Sequence, residues 1–303
     1  MLSSQFAFMT VCDFQHVLHM IHRFSDVSSI QLELQKISSP IALVPTMGAL
    51  HQGHLELLRA ARKKVGAQGT VVISIFVNPI QFDRASDLQS YPRPLEDDLA
   101  LCEQEGVDLA FIPEAATLYP KDRSILISES LLSKHLCGAT RPGHFDGVLT
   151  IVLKLFNIIR PDSAIFGKKD YQQLALIKRM VRDLDVPVEV IGHPTIREND
   201  GLALSSRNQK LTPAHRADAP RIRRALIASR DLATTGEQNP QIYLDTARHH
   251  LLAGAPEDFK IDYLQLVDTA SLQPISKVTS PATLAAACFC DEVRLIDHVT
   301  ISP

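Results

Sequence analysis

Two histidines three residues apart are the first chemical signal in this sequence, in Val44-Pro45-Thr46-Met47-Gly48-Ala49-Leu50-His51-Gln52-Gly53-His54. An apolar run stops at Pro45, the chain turns at Gly48, and a helical pattern begins. Residues three apart on a helix share a face. The first turn of a helix leaves backbone N–H groups unpaired and carries the positive end of the dipole, so it favours anions. Gly53 has no side chain, so a planar base or a phosphate can approach the backbone. Two imidazole donors at such an end can stabilise charge building on triphosphate oxygens, which suits nucleotidyl transfer. His-x-x-His can also bind zinc, but no acidic or cysteine ligand stands nearby at a useful spacing.

Three further segments carry polar groups of the right kind. In Phe166-Gly167-Lys168-Lys169-Asp170-Tyr171-Gln172-Gln173 a strand again meets a helix. Lys169 there supplies a point charge for phosphate, and Asp170 either joins the site or caps the helix that starts at Tyr171. Leu204-Ser205-Ser206-Arg207-Asn208 reads as an unstructured stretch whose hydroxyls and guanidinium suit a phosphate clamp. Asn78 and Gln81 follow the apolar run Val71–Val77 as neutral hydrogen-bonding groups suited to a small acid, or simply form a turn. Asp97-Asp98 could hold magnesium through water, with Asp98 as the metal candidate, or support a helix N-terminus. Gly138 to Phe145, with Arg141 and His144, reads as a loop serving as lid or substrate wall.

These groups need a frame. Apolar runs Ile41–Val44, Val71–Val77, Leu109–Ile112, Ala164–Phe166 and Val188–Ile191 lack clean alternation, as expected for strands buried on both faces of a parallel sheet. Helical patterns cover Leu55–Lys64, Leu95–Glu105, Val148–Ile159 and Tyr171–Leu184. The alternation predicts an α/β, Rossmann-like doubly wound domain over residues 1–195, with ligands bound beyond the carboxyl ends of its strands. Residues 196–303 read as a smaller C-terminal α+β domain. It has helices over Pro213–Ala233 and Tyr243–Ala253 and strand-like runs Phe259–Val267 and Thr283–Phe289.

Composition bounds the setting. The 303 residues are 45% hydrophobic and 21% charged, with net charge −3, values of an ordinary globular chain. That charge argues against a nucleic-acid partner, and no apolar stretch is long enough to span a bilayer. Cys12, Cys102, Cys137, Cys288 and Cys290 are odd in number, and Cys288 and Cys290 sit in an apolar run as expected of buried thiols. Met1 to Met9 lacks the basic region of a signal peptide, and Met9 is an alternative start. The expected compartment is the cytoplasm.

Together the segments Val44–His54, Ile75–Phe82, Tyr91-Pro92-Arg93, Arg141–Leu155, Arg160–Gln173 and Arg197–Asn208 resemble the pantoate–β-alanine ligase family of the wider His-x-Gly-His nucleotidyltransferases. The likeness runs from about Ile41 to Leu211 and weakly on to Arg294–Asp297. The resemblance implies two steps: pantoate and ATP give pantoyl adenylate and pyrophosphate, and β-alanine then yields pantothenate and AMP. It implies magnesium with ATP, no tightly bound organic cofactor, and a homodimer. Carried over by motif, Pro45, Thr46, Met47 and Gly48 would line the nucleotide pocket. His51 and His54 would contact phosphates, with His54 as the proton donor. Gln81 and Gln173 would hold pantoate and β-alanine, helped by Asn78. Gly167, Lys168, Lys169 and Asp170 would wrap ATP, Ile196 would meet adenine through its backbone, and Leu204, Ser205, Ser206 and Arg207 would close on the triphosphate. His51, His54, Lys169 and Arg207 would be catalytic. Lys168 and Leu204 stand where family members often carry Glu and Met. A nucleotidyltransferase that stops after nucleotide transfer, or a nucleotide-sensing module, would share the histidine site but need no amine substrate.

Overall fold

The computed structural model describes residues 20–303; Cys12 and the Met1–Met9 segment lie outside the described residues. Among the described residues nine strands form two sheets. The first is parallel, with β1 (His22–Phe24), β2 (Ile41–Thr46), β3 (Thr70–Ile75), β4 (Leu109–Phe111), β5 (Ser163–Gly167) and β6 (Glu189–His193) in the order β1-β4-β3-β2-β5-β6. Both faces are covered, which accounts for the unbroken apolar runs. Leu43, Val72, Phe111 and Phe166 pack on the side of the helices Val27–Leu34, His144–Ile159 and Tyr171–Asp183. Their neighbours Ala42, Val44, Ile73 and Ile165 pack with Leu58 and Leu99 of the helices Gln52–Val65 and Leu95–Gln104.

The strand order reverses between β2 and β5, and the ladder opens there. β2 pairs with β3 along all of Ile41–Thr46, but with β5 only at Ala42 and Leu43. Backbone groups alternate sides along a strand. Ile41 exchanges hydrogen bonds on the β5 side, its N–H with Asp162 Oδ2 and its carbonyl with the Asp162 N–H. The N–H missing at Pro45 is therefore also on the β5 side, and the two strands part before their carboxyl ends. The crevice this leaves is where ligands of open α/β sheets bind.

The second sheet is antiparallel: β7 (Phe259–Asp268), β8 (Ala282–Cys290) and β9 (Val293–Ile301). Leu284, Ala286 and the buried free thiols Cys288 and Cys290 face the helices Arg221–Arg230 and Pro240–Leu252. Ala285 and Ala287, one residue out of step, pack into the core of the parallel domain. Burial on both faces explains the alanine-rich run. The helical stretch expected over Pro213–Ala233 is divided into Pro213–Asp218, Arg221–Arg230 and a 3-10 stretch Asp231–Thr235, with Pro220 interrupting the hydrogen-bond ladder between the first two. The helix expected from Val148 starts at His144, which moves His144 and Phe145 out of the expected loop.

Candidate active site

A cleft of about 250 Å³ opens at the carboxyl ends of β2, β3 and β5. It gathers sixteen of the residues singled out from sequence: Pro45, Thr46, Met47, His51, His54, Asn78, Gln81, Gly167, Lys169, Asp170, Gln173, Ile196, Leu204, Ser205, Ser206 and Arg207.

The histidines are fixed by the helix start itself. His51 is the N-cap of Gln52–Val65, and its Nδ1 accepts the Gly53 N–H at 3.1 Å. His54 Nδ1 accepts the His51 N–H at 3.3 Å. A backbone N–H can only donate, so in both rings Nδ1 is the acceptor and Nε2 carries the proton. Burial, then the nearby Lys169 charge, lowers the His51 pKa to about 4. Burial, then His51 and Lys169, lowers that of His54 to about 3. At neutral pH the site therefore presents two uncharged Nε2–H donors.

Another side of the cleft is built around Gln81. Asn78 is fully buried and spent on protein partners. Its Nδ2 donates to Gln81 Oε1 and to the Gly147 carbonyl, both at 3.0 Å, and its Oδ1 accepts from Tyr119 at 2.8 Å. Asn78 thus orients Gln81. Gln81 Nε2 meets Met47 Sδ at 3.0 Å. His144 Nδ1 donates to the Gln81 carbonyl at 2.8 Å, and burial followed by the Arg141 charge lowers the His144 pKa to about 4. Val148, Ile151, Val152 and Leu155 add an apolar wall from the same helix.

The clamp segment is not unstructured. Leu204 N–H donates to the Ile196 carbonyl, and Ser205 caps a 3-10 turn, Ser206–Lys210, accepting the Arg207 N–H at 3.3 Å. Arg207 pairs with Asp87 of the helix Ala85–Gln89 at 3.1 Å. Asp170 occupies the N-cap position of Tyr171–Asp183 but makes no capping hydrogen bond, and it lines the cleft.

Three expected residues stand elsewhere. Gly48 does not line the cleft; it forms the left-handed turn before the histidines, at φ +80°. The Lys168 side chain is exposed, while its backbone bridges β6 and β9, donating to the His193 carbonyl and accepting from His298 Nε2, both at 2.8 Å. Asp98 is 2% exposed and does not face the cleft. Its two oxygens take the N–H groups of Ala49 and Leu50, which occupies the carboxylate proposed for magnesium. Tyr91, a residue without an assigned role in the sequence, also lines the cleft and hydrogen-bonds Ser206. Its Tyr-Pro-Arg setting was the available signal.

The comparisons with known proteins agree with this geometry. The family model described as pantoate-beta-alanine ligase matches residues 19–300. A protein named pantothenate synthetase from Akkermansia muciniphila is 51% identical over 261 residues, covering 86% of this chain and 92% of its own. The crystal structure of pantothenate synthetase from Thermus thermophilus matches with a TM-score of 0.87 at 43% identity, covering 93% of this chain and 100% of its own. That of pantoate-beta-alanine ligase from Francisella tularensis, described as complexed with beta-gamma ATP and beta-alanine, matches at 0.76 and 32% identity, over 92% and 97% of the two chains. With a fold and a sequence that match along nearly the whole described length, this chain belongs to the pantoate–β-alanine ligase family.

Proposed function

We propose that this chain condenses pantoate with β-alanine to pantothenate through pantoyl adenylate, converting ATP to AMP and pyrophosphate. A pantoate carboxylate oxygen attacks the α-phosphorus, and the bond from that phosphorus to the β-bridging oxygen breaks. The β-alanine nitrogen then attacks the acyl carbon, loses a proton, and AMP leaves with the acyl oxygen. No side chain becomes covalent, so positioning and charge stabilisation carry the rate. The observation that carries this reading is the pair of uncharged imidazoles beside Lys169 and Arg207, in a cleft whose other side is apolar and bears Gln81 and Gln173.

The roles follow from that arrangement. The two Nε2–H groups, Lys169 and Arg207 hold phosphate oxygens as charge develops on them. In this picture His54 donates a hydrogen bond as a neutral ring. Gln81 and Gln173 bind the hydroxyls and carboxylate of pantoate, and its geminal methyl groups pack on Val148 and Ile151. Ile196 and Gly167 flank the adenosine. Magnesium enters on the triphosphate as MgATP. Among the described residues no group of three His, Cys, Asp or Glu side chains stands ready to cage an ion, which fits a metal held largely by phosphate oxygens. Residues 1–195 act as the ATP- and pantoate-binding part and 196–303 as a lid that keeps water from the acyl adenylate. We place the enzyme in the cytoplasm as a homodimer; the four described cysteines, all buried free thiols, suit a reducing compartment.

The test is ATP–pyrophosphate exchange with pantoate present and β-alanine absent. Exchange that requires pantoate supports the adenylate step. Its absence from a folded, ATP-binding protein removes pantoate activation.

A further inference from the structure

Ala49 has a left-handed backbone, φ +52°, directly after Gly48 at φ +80°. A residue with a Cβ resists that conformation and keeps it only where its surroundings impose it. Here one side chain does so. Asp98 Oδ2 accepts the Ala49 N–H at 2.8 Å and Oδ1 accepts the Leu50 N–H at 2.7 Å. The fit is tight from the other side too, since a Cβ on Gly48 would lie 2.9 Å from Asp98 Oδ2. The carboxylate is itself held firmly. Leu99 and Cys102 of its helix pack in one core with Leu58 and Ala61 of the histidine helix, and Arg59 Nε donates to Glu105 Oε2 at 2.8 Å across the pair. One peptide beyond Leu50 lies the His51 N–H that fixes the His54 ring, followed by the Gly53 N–H that fixes His51.

We infer that Asp98 is a positioning residue for adenylyl transfer: it locks the Gly48–Leu50 turn so that both histidines present Nε2–H to the triphosphate. It does so without touching substrate or metal. The inference rests on the ligase reading above. It predicts a split between kinetic constants. A displacement of about 1 Å at a catalytic group costs on the order of 100-fold in rate, while Gln81 and Gln173 stand on other elements and keep their hold on pantoate.

Asp98→Asn tests this in the full chain. The amide has the same shape but aims an NH2 at one of the two backbone donors. In pantoate-dependent ATP–pyrophosphate exchange, kcat should fall by about 100-fold with the pantoate KM little changed. Ring 15N spectra should show His51 and His54 losing their uniform Nε2–H tautomer. Asp98→Glu should recover part of the loss. Gly48→Ala attacks the same contact from the opposite side and should give the same signature if Asp98→Asn folds poorly. Two outcomes overturn the inference: wild-type kcat with only a lowered Tm, which makes Asp98 merely structural, or activity restored by raised magnesium, which makes it a metal ligand. Dependence of the wild-type exchange on pantoate, measured alongside, tests the ligase reading separately.

Discussion

Three histidines near the cleft are held uncharged, and each by a different hydrogen-bond arrangement. His51 and His54 have their protons on Nε2, and His144 has its proton on Nδ1, bonded to the Gln81 carbonyl. Replacing His54 with Ala removes one donor to developing phosphate charge and should lower kcat by about 10²–10³-fold, measured as pantoate-dependent exchange by the folded variant. The pH profile should be flat through 6.5 and drop only as pH approaches about 4, where His51 takes up a proton. Stability follows the same sign. The folded pKa values of about 4, 3 and 4 lie below the ordinary 6.5. Below pH 6.5 the unfolded chain therefore binds more protons than the folded one, and acid favours unfolding. Each ring can contribute up to about 1.4 kcal/mol per pH unit between 6.5 and its folded value. Denaturant midpoints at pH 7 and pH 5 should differ in that direction, and less so in a His144→Gln variant.

At the scale of elements, the site depends on how closely helix His144–Ile159 approaches the 3-10 turn Pro79–Gln81. Gly147 permits it: a Cβ there would meet the Ile80 carbonyl oxygen at 2.6 Å and the Gln81 nitrogen at 2.7 Å. These are backbone atoms that cannot swing aside, so Gly147→Ala must push the helix away and break the Asn78 bond to the Gly147 carbonyl. The pantoate KM should rise several-fold while the ATP KM stays near its original value, because the histidine helix and Lys169 do not depend on this contact. Equal losses for both substrates would show that Gln81 is not the acid-binding group.

Across the whole molecule, the clamp segment hangs on the small domain. The turn Arg197–Ala203 leads into Ser205–Arg207 and is pinned by a two-pronged ion pair, Arg197 Nη1 to Asp297 Oδ2 at 2.7 Å and Nη2 to Asp297 Oδ1 at 2.8 Å. The Asp297 side chain is 5% exposed. Arg197→Met leaves that buried carboxylate without its two-pronged partner, which should cost up to about 3–5 kcal/mol, read by denaturant unfolding. The ATP KM should rise more than the pantoate KM. Adding Asp297→Leu should regain much of the stability and little of the ATP affinity, because the tether is still missing.

The sequence alone determined the chemistry and the class of fold. Residue types at fixed spacing, His51 with His54, Lys169 with Asp170, Ser205 with Arg207, named the groups that the cleft gathers, and buried apolar runs between helical patterns marked a parallel sheet covered on both faces. Those signals are local, set by neighbours in the chain. The short strand β1 was not legible, nor was β9, whose mixed pattern Val293–Ile301 becomes intelligible only because Asp297 is buried against Arg197. Only the tertiary structure decided which polar groups face the cleft and which are spent on protein. Asn78 and Asp98 looked like ligand groups by type, yet their partners, Gly147 and Tyr119 for one and Ala49 and Leu50 for the other, come from 41 to 69 residues away. Hydrogen-bond satisfaction is a property of packing, so a buried carboxylate that shapes a turn and an exposed one that binds an ion are the same letter until the chain has folded.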